Sequence, residues 1–178
     1  MNKLFYGAIS FNGDISKWDV SHVTDMAYTF WGTLSFNGDI SNWDVSHVTS
    51  MTGTFISSMF NNDISKWDVS RVTNMRFMFY GAAAFNGDIS NWDVSRVNDM
   101  RSMFQNAKAF NADISKWNVL GVAHMSFMFY GATAFKQQLC KAWLHTQAKK
   151  YDMFKDSQGS LSRCLGVYMC LKKCKLYN

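Results

Sequence analysis

Phe11-Asn12-Gly13-Asp14-Ile15-Ser16-Lys17-Trp18-Asp19-Val20-Ser21 returns along the chain with only small changes, beginning again at Phe36, Phe60, Phe85 and Phe110. Trp18, Trp43, Trp67, Trp92 and Trp117 are spaced by 25, 24, 25 and 25 residues. Self-similarity at such a period marks stacked repeats rather than one globular core. One unit is a residue short, and the deletion lies between Phe55 and Phe60, because Phe30 to Phe36 and Phe79 to Phe85 each span one position more. The columns on either side stay in phase, so the shortened part is a connecting segment.

Within a unit, Ile15, Trp18 and Val20 have the L-x-x-L-x-L spacing of a leucine-rich-repeat strand. The expected fold is therefore a repeat solenoid of about five to six coils, with parallel strands at Ile15–Val20, Ile40–Val45, Ile64–Val69, Ile89–Val94 and Ile114–Val119. Val23, Met26 and Phe30 recur at i, i+3 and i+7, which predicts a short helical or 3₁₀ return segment. Gly32, Gly81, Asn106 and Gly131 stand where a left-handed stop would follow it. Asn37-Gly38-Asp39 and its equivalents read as a turn, and Ala112 at the middle place of one copy means that this turn does not require a positive φ.

Stacking at a spacing of roughly 4.7–4.9 Å would turn every repeat position into a ladder. The five tryptophans Trp18, Trp43, Trp67, Trp92 and Trp117 are then structural core, with Ile, Val, Met and Phe ladders beside them. About seven large apolar side chains per unit point inward, each contributing roughly 1.5–3 kcal/mol on full burial before chain entropy is subtracted.

Two acidic columns run along the units. Asp14, Asp39, Asp63, Asp88 and Asp113 lie in the turn; Asp19, Asp44, Asp68 and Asp93 lie in the expected strand and face outward. Like charges at that spacing repel by about 1 kcal/mol per pair in water. Turn capping of the first column, and solvation or pairing of the second with Lys17 and Lys66, would offset it. Beside them stands a column of His22, His47, Arg71 and Arg96. Lys17, Asp19, His22, Asp44, His47, Lys66, Asp68, Arg71, Asp93 and Arg96 are the candidate binding residues of an outward strand face. One carboxylate per coil is sparse for calcium, and two stacked histidines lack a third ligand, so no metal and no cofactor are expected. Nor is there a catalytic constellation. The serines repeat as a surface position and the chain contains no glutamate.

The pattern F-N-G-D-I-S-K-W-D-V-S-x-V-T-x-M followed by M-F-Y-G-A closely resembles the BspA-like leucine-rich-repeat surface proteins and the related 25-residue repeats of mycoplasma-type surface lipoproteins, from about Leu4 to Phe135. The resemblance implies a non-catalytic surface module for adhesion or protein–protein interaction, at the cell surface or outside the cell, with an unidentified protein partner or cell-surface ligand. A structural spacer within a larger array, or an accessory domain of an enzyme not included in this chain, is the alternative reading. Met1-Asn2-Lys3 leads straight into repeat sequence in mid-unit, without a signal peptide, and no apolar run reaches membrane-spanning length. An open first coil suggests end-to-end self-association.

Charge divides the chain in two. Residues 1–135 carry 9 Lys+Arg and 11 Asp, whereas residues 136–178 carry 9 and 2. A mildly acidic repeat body argues against nucleic acid as a partner. The expected domains are therefore 1–135, the repeats, and 136–178, a degenerate last coil with a basic tail that holds all four cysteines. Cys140 and Cys164 are 24 residues apart, about one coil, and a disulfide between them would close the stack end; four reduced thiols remain the other reading.

Overall fold

The structure is a computed structural model and describes residues 1–163. Its repeats lie one upon the next, and what joins them is a segment other than the expected strand. Met26, Tyr28, Phe30 and Gly32 donate their N–H groups to the carbonyls of Ser50, Thr52, Thr54 and Ile56. Met51, Gly53, Phe55 and Ser57 donate in turn to Asn74, Arg76, Met78 and Tyr80. The pattern continues to Gly131, whose N–H reaches the Lys155 carbonyl at 2.8 Å. Four files of peptide hydrogen bonds thus run the length of the stack. Isolated parallel bridges mark the same path, Asp25 to Ser50, Asn74, Asp99, His124 and Lys149.

Between the files the chain makes local turns. Thr29 N–H returns to the Met26 carbonyl and Thr33 N–H to that of Phe30, while Tyr28 (φ 55°) and Gly32 (φ 69°), the third residues of those turns, are left-handed. A positive φ at the third position is the mark of a type II turn, whose central peptide stands out of the turn plane. Here that peptide points along the stack. Two such turns in succession repeat every four residues, so Val23, Met26 and Phe30 imitate a helical face without forming a helix. The Gly32, Gly81, Asn106 and Gly131 column is left-handed as its composition implies.

Ile15–Val20 and its four equivalents are likewise turns rather than strands. Trp18 N–H bonds to the Ile15 carbonyl and Val23 N–H to that of Val20. The physical reason lies in Asp14 and Asp19, whose Oδ1 atoms each accept from the amide two residues on, Ser16 and Ser21, both at 3.0 Å. A side chain that satisfies a backbone N–H locally removes it from a ladder.

The interior is a set of aromatic and aliphatic columns. Phe30, Phe55, Phe79, Phe104, Phe129 and Phe154 stack at 5.4–5.7 Å with nearly parallel rings. Trp43, Trp67, Trp92 and Trp117 are buried, and each donates its indole N–H to the isoleucine carbonyl of the preceding coil, Ile15, Ile40, Ile64 and Ile89. Trp18 departs from the expected core: no coil covers it and it is 44 % exposed. The short unit is closed by Ser58, whose hydroxyl meets that of Thr33 at 3.0 Å and accepts from Phe60 N–H.

A second ladder is built from side chains. Asn12, Asn37, Asn61, Asn86 and Asn111 each present Oδ1 to a backbone N–H of the next coil, at 2.8–3.1 Å.

The boundary expected at residue 135 is not a break in packing, since the files cross it to Lys155. The last coil does differ. Among the described residues the regular elements are all here: β1 (Gln138–Leu139), α1 (Ala142–His145) and β2 (Ser160–Leu161), with β1 and β2 parallel. Trp143 stacks on Trp117 at 6.3 Å, but its buried Nε1 has no partner. Cys140 is buried; Cys164, and with it the expected disulfide, lies outside the described residues.

Candidate functional site

The ten candidate binding residues all lie exposed on the turn-rich side of the coils. Their expected division of labour does not hold, because both aspartate columns cap turns in the same way. Asp44, Asp68 and Asp93 accept from the amides of Ser46, Ser70 and Ser95 at 3.0 Å, as Asp39, Asp63 and Asp88 do from Ser41, Ser65 and Ser90. Hydrogen bonds from the serine hydroxyl and amide hold the Asp19, Asp44, Asp68 and Asp93 carboxyls below their ordinary value. In the other column the amide is the larger cause. His22 and His47 lie against the neighbouring Ser21 and Ser46 hydroxyls at 3.1 and 3.3 Å. Among the described residues, none of the ten forms an ion pair and no group of three potential metal ligands converges.

The side that carries the peptide files has a different character, which the sequence reading missed. Its outward residues follow the left-handed column Lys3, Tyr28, Gly53, Phe77, Ser102, Phe127 and Asp152, with φ between 47° and 60°. Bulky residues pay for this conformation with roughly 1–2 kcal/mol each, and such strain collects at functional positions. Aromatic rings dominate the surface around them. Tyr6 and Trp31 are 3.9 Å apart, while Phe77–Tyr80 and Phe127–Tyr151 meet edge to face at 5.8 and 5.3 Å. Cations lie over several of these rings: Lys3 at Tyr28, Arg76 at Phe77 and Lys155 at Tyr130.

Size alternates along the left-handed column, and the alternation shapes two open grooves. Gly53 separates Tyr28 from Phe77; a Cβ there would meet the Tyr28 ring at 2.6 Å. The first groove, about 410 Å³, lies between Tyr28 and Phe77 with Trp31 and Ile56 on its flanks. The second, about 490 Å³, lies between Phe77 and Phe127 with Ser102 as its floor. Near it Arg101 holds Asp99 through Nε at 3.0 Å to each carboxylate oxygen. Burial pushes the Asp99 carboxyl up, but the Arg101 hydrogen bonds and charge outweigh it and hold the group low. The sequence signal for this band is the second half of each unit, where Tyr28, Phe77 and Phe127 share a column with Gly53.

Stacked units, an interior filled by aromatic columns and open surface grooves define a repeat protein. The chain belongs to the family described as Mycoplasma protein of unknown function, DUF285, whose model matches residues 1–69 and 56–164. No curated protein and no solved structure matches it.

Proposed function

We propose that this chain is a leucine-rich-repeat-like solenoid of BspA-like type, displayed at the cell surface or outside the cell, that binds a protein partner without catalysis. The recognition surface is the band of aromatic rings and cations on the peptide-file side. The observation that carries this reading is Tyr28, Phe77 and Phe127 held left-handed beside half-exposed rings, where the same column elsewhere uses Gly53. Aromatic and arginine side chains are the groups that most often anchor protein contacts. A column that tolerates glycine has no folding reason to hold large rings there.

The test compares capture of proteins from cell-surface extracts by three chains: wild type, a Trp31→Ala/Tyr80→Ala variant of the band, and a variant with Asp19, Asp44, Asp68 and Asp93 changed to Asn. The expected result is capture lost in the band variant alone. Capture kept in the band variant and lost in the aspartate variant would move recognition to the turn side and overturn the proposal.

A further inference from the structure

The groove between Phe77 and Phe127 has the form of a ladder with one ring left out. In the same three coils the interior rings Phe79, Phe104 and Phe129 step at 5.5 and 5.7 Å. On the surface the corresponding column reads Phe77, Ser102, Phe127, so the middle step carries a small, buried side chain where its neighbours carry rings. A ring placed over Ser102 would stand about 5–6 Å from each wall, inside the 4.5–7 Å range of favourable aromatic pairs.

Charge at the rim is unequal. Arg101 is committed to Asp99. Arg76 lies over Phe77, its Cζ 4.4 Å from the ring centroid, with its buried Nε unpartnered, and no described carboxylate pairs with it. A guanidinium already fixed by a ring loses little freedom on gaining an anion.

Resting on the band as the recognition surface, we propose that this groove takes an aromatic side chain from an extended polypeptide and that Arg76 takes a carboxylate two residues away. Side chains two apart share a face of an extended chain and lie roughly 6.6–6.8 Å apart, about one coil step plus the offset from Ser102 to Arg76. The edge-to-face partners at the walls, Tyr80 on Phe77 and Tyr151 on Phe127, favour another aromatic ring over a sugar ring.

The experiment is an amide-shift titration of the full chain with the peptide Ac-Asp-Gly-Phe-Gly-Asp-NH2. Parallel arms replace both Asp by Asn, replace Phe by Ala, or use a hexuronic-acid oligosaccharide. Expected are shifts centred on Ser102, Gln105 and Ser126 with the parent peptide, a loss of about tenfold in affinity with the Asn peptide or with Arg76→Gln, and no response with the Ala peptide. Ser102→Phe supplies the missing ring from the chain itself and should abolish binding. Phe77 and Phe127 already occupy that backbone conformation, and amide shifts unchanged away from the groove check that the variant is folded. Equal response to the Asp and Asn peptides, unchanged binding by Ser102→Phe, or response to the oligosaccharide alone overturns the proposal. Shifts confined to Tyr6, Trp31 and Tyr28 would sink the groove while leaving the band as the recognition surface. No response anywhere on the band in any arm would sink both.

Discussion

Replacing Trp67 by Ala probes the coil stack at its most connected point. The side chain is 3 % exposed, lies between coils on both sides, and donates Nε1–H to the Ile40 carbonyl at 3.0 Å. Truncating a buried tryptophan costs about 3–5 kcal/mol, and here the neighbouring coils are held by their own hydrogen bonds and cannot close over the cavity. The orphaned Ile40 carbonyl places the expected loss in the upper half of that range. Trp18→Ala is the matched control: the same column, 44 % exposed, with no coil before it, and an expected loss below about 1 kcal/mol. For a chain of this size the first change should lower the melting temperature by about 10 °C or more and the second by no more than about 4 °C. Trp67→Phe separates the terms, since it keeps most of the apolar contact and loses the hydrogen bond, for about 1–3 kcal/mol. Equal shifts for Trp67→Ala and Trp18→Ala, measured by circular dichroism melts, would refute the picture of a continuous indole column in which each ring is covered by the preceding coil.

Gly53→Ala should destabilise by about 1–3 kcal/mol, because φ +60° is strained for alanine and its methyl would strike the Tyr28 ring; denaturant midpoints give the value. Ser102→Gly should stabilise slightly, by up to about 1 kcal/mol, since relief of the left-handed strain exceeds the entropy that glycine adds to the unfolded chain; a fall in midpoint would count against strain at this column. The aspartate columns predict a pH dependence. The carboxyls of Asp14, Asp39, Asp63 and Asp88, and of Asp19, Asp44, Asp68 and Asp93, titrate below the ordinary 3.8 when folded, so their stabilisation is fully present above that value and is lost as pH falls through the lower folded value. Acid melts of a variant with Asp19, Asp44, Asp68 and Asp93 changed to Asn should show a weaker loss below about pH 4, and Asn118, which caps Leu120 N–H at 3.3 Å in that column, indicates that the amide is tolerated.

The repeat period, the interior columns and the left-handed glycines could all be read from the residues, because each is a matter of phase and side-chain type. The local path of the chain could not. Ile15, Trp18 and Val20 have strand-like spacing, but Asp14 and Asp19 divert the backbone into turns by competing for its amides, and no periodicity records that competition. A closer parallel was present: Asp14-Ile15-Ser16-Lys17-Trp18 and Asp19-Val20-Ser21-His22-Val23 are the same five-residue turn written twice. Asp25-Met26-Ala27 adds a third capped amide in the same unit, from Ala27 N–H to Asp25 Oδ1 at 2.8 Å. The band of surface rings was hidden for a different reason. Aromatic residues in a repeat are assigned to its core by default, and only the left-handed backbone turns Tyr28, Phe77 and Phe127 outward.

The four files of peptide hydrogen bonds give the stack an electrical polarity. Each peptide carries a dipole of about 3.5 D, and in a helix these add because they are aligned head to tail. In an ordinary β-sheet they largely cancel. Here every peptide of a file points its N–H toward the following coil, so the dipoles add along an axis that no helix supplies. The first coil presents the carbonyls of Asn2, Leu4 and Tyr6, and the last the amides of Asp152, Phe154 and Asp156, without a partner among the described residues. Adding a coil lengthens all four files at once, so the two ends of such a stack differ in potential as well as in shape, and a charged body approaching along the axis meets a head and a tail.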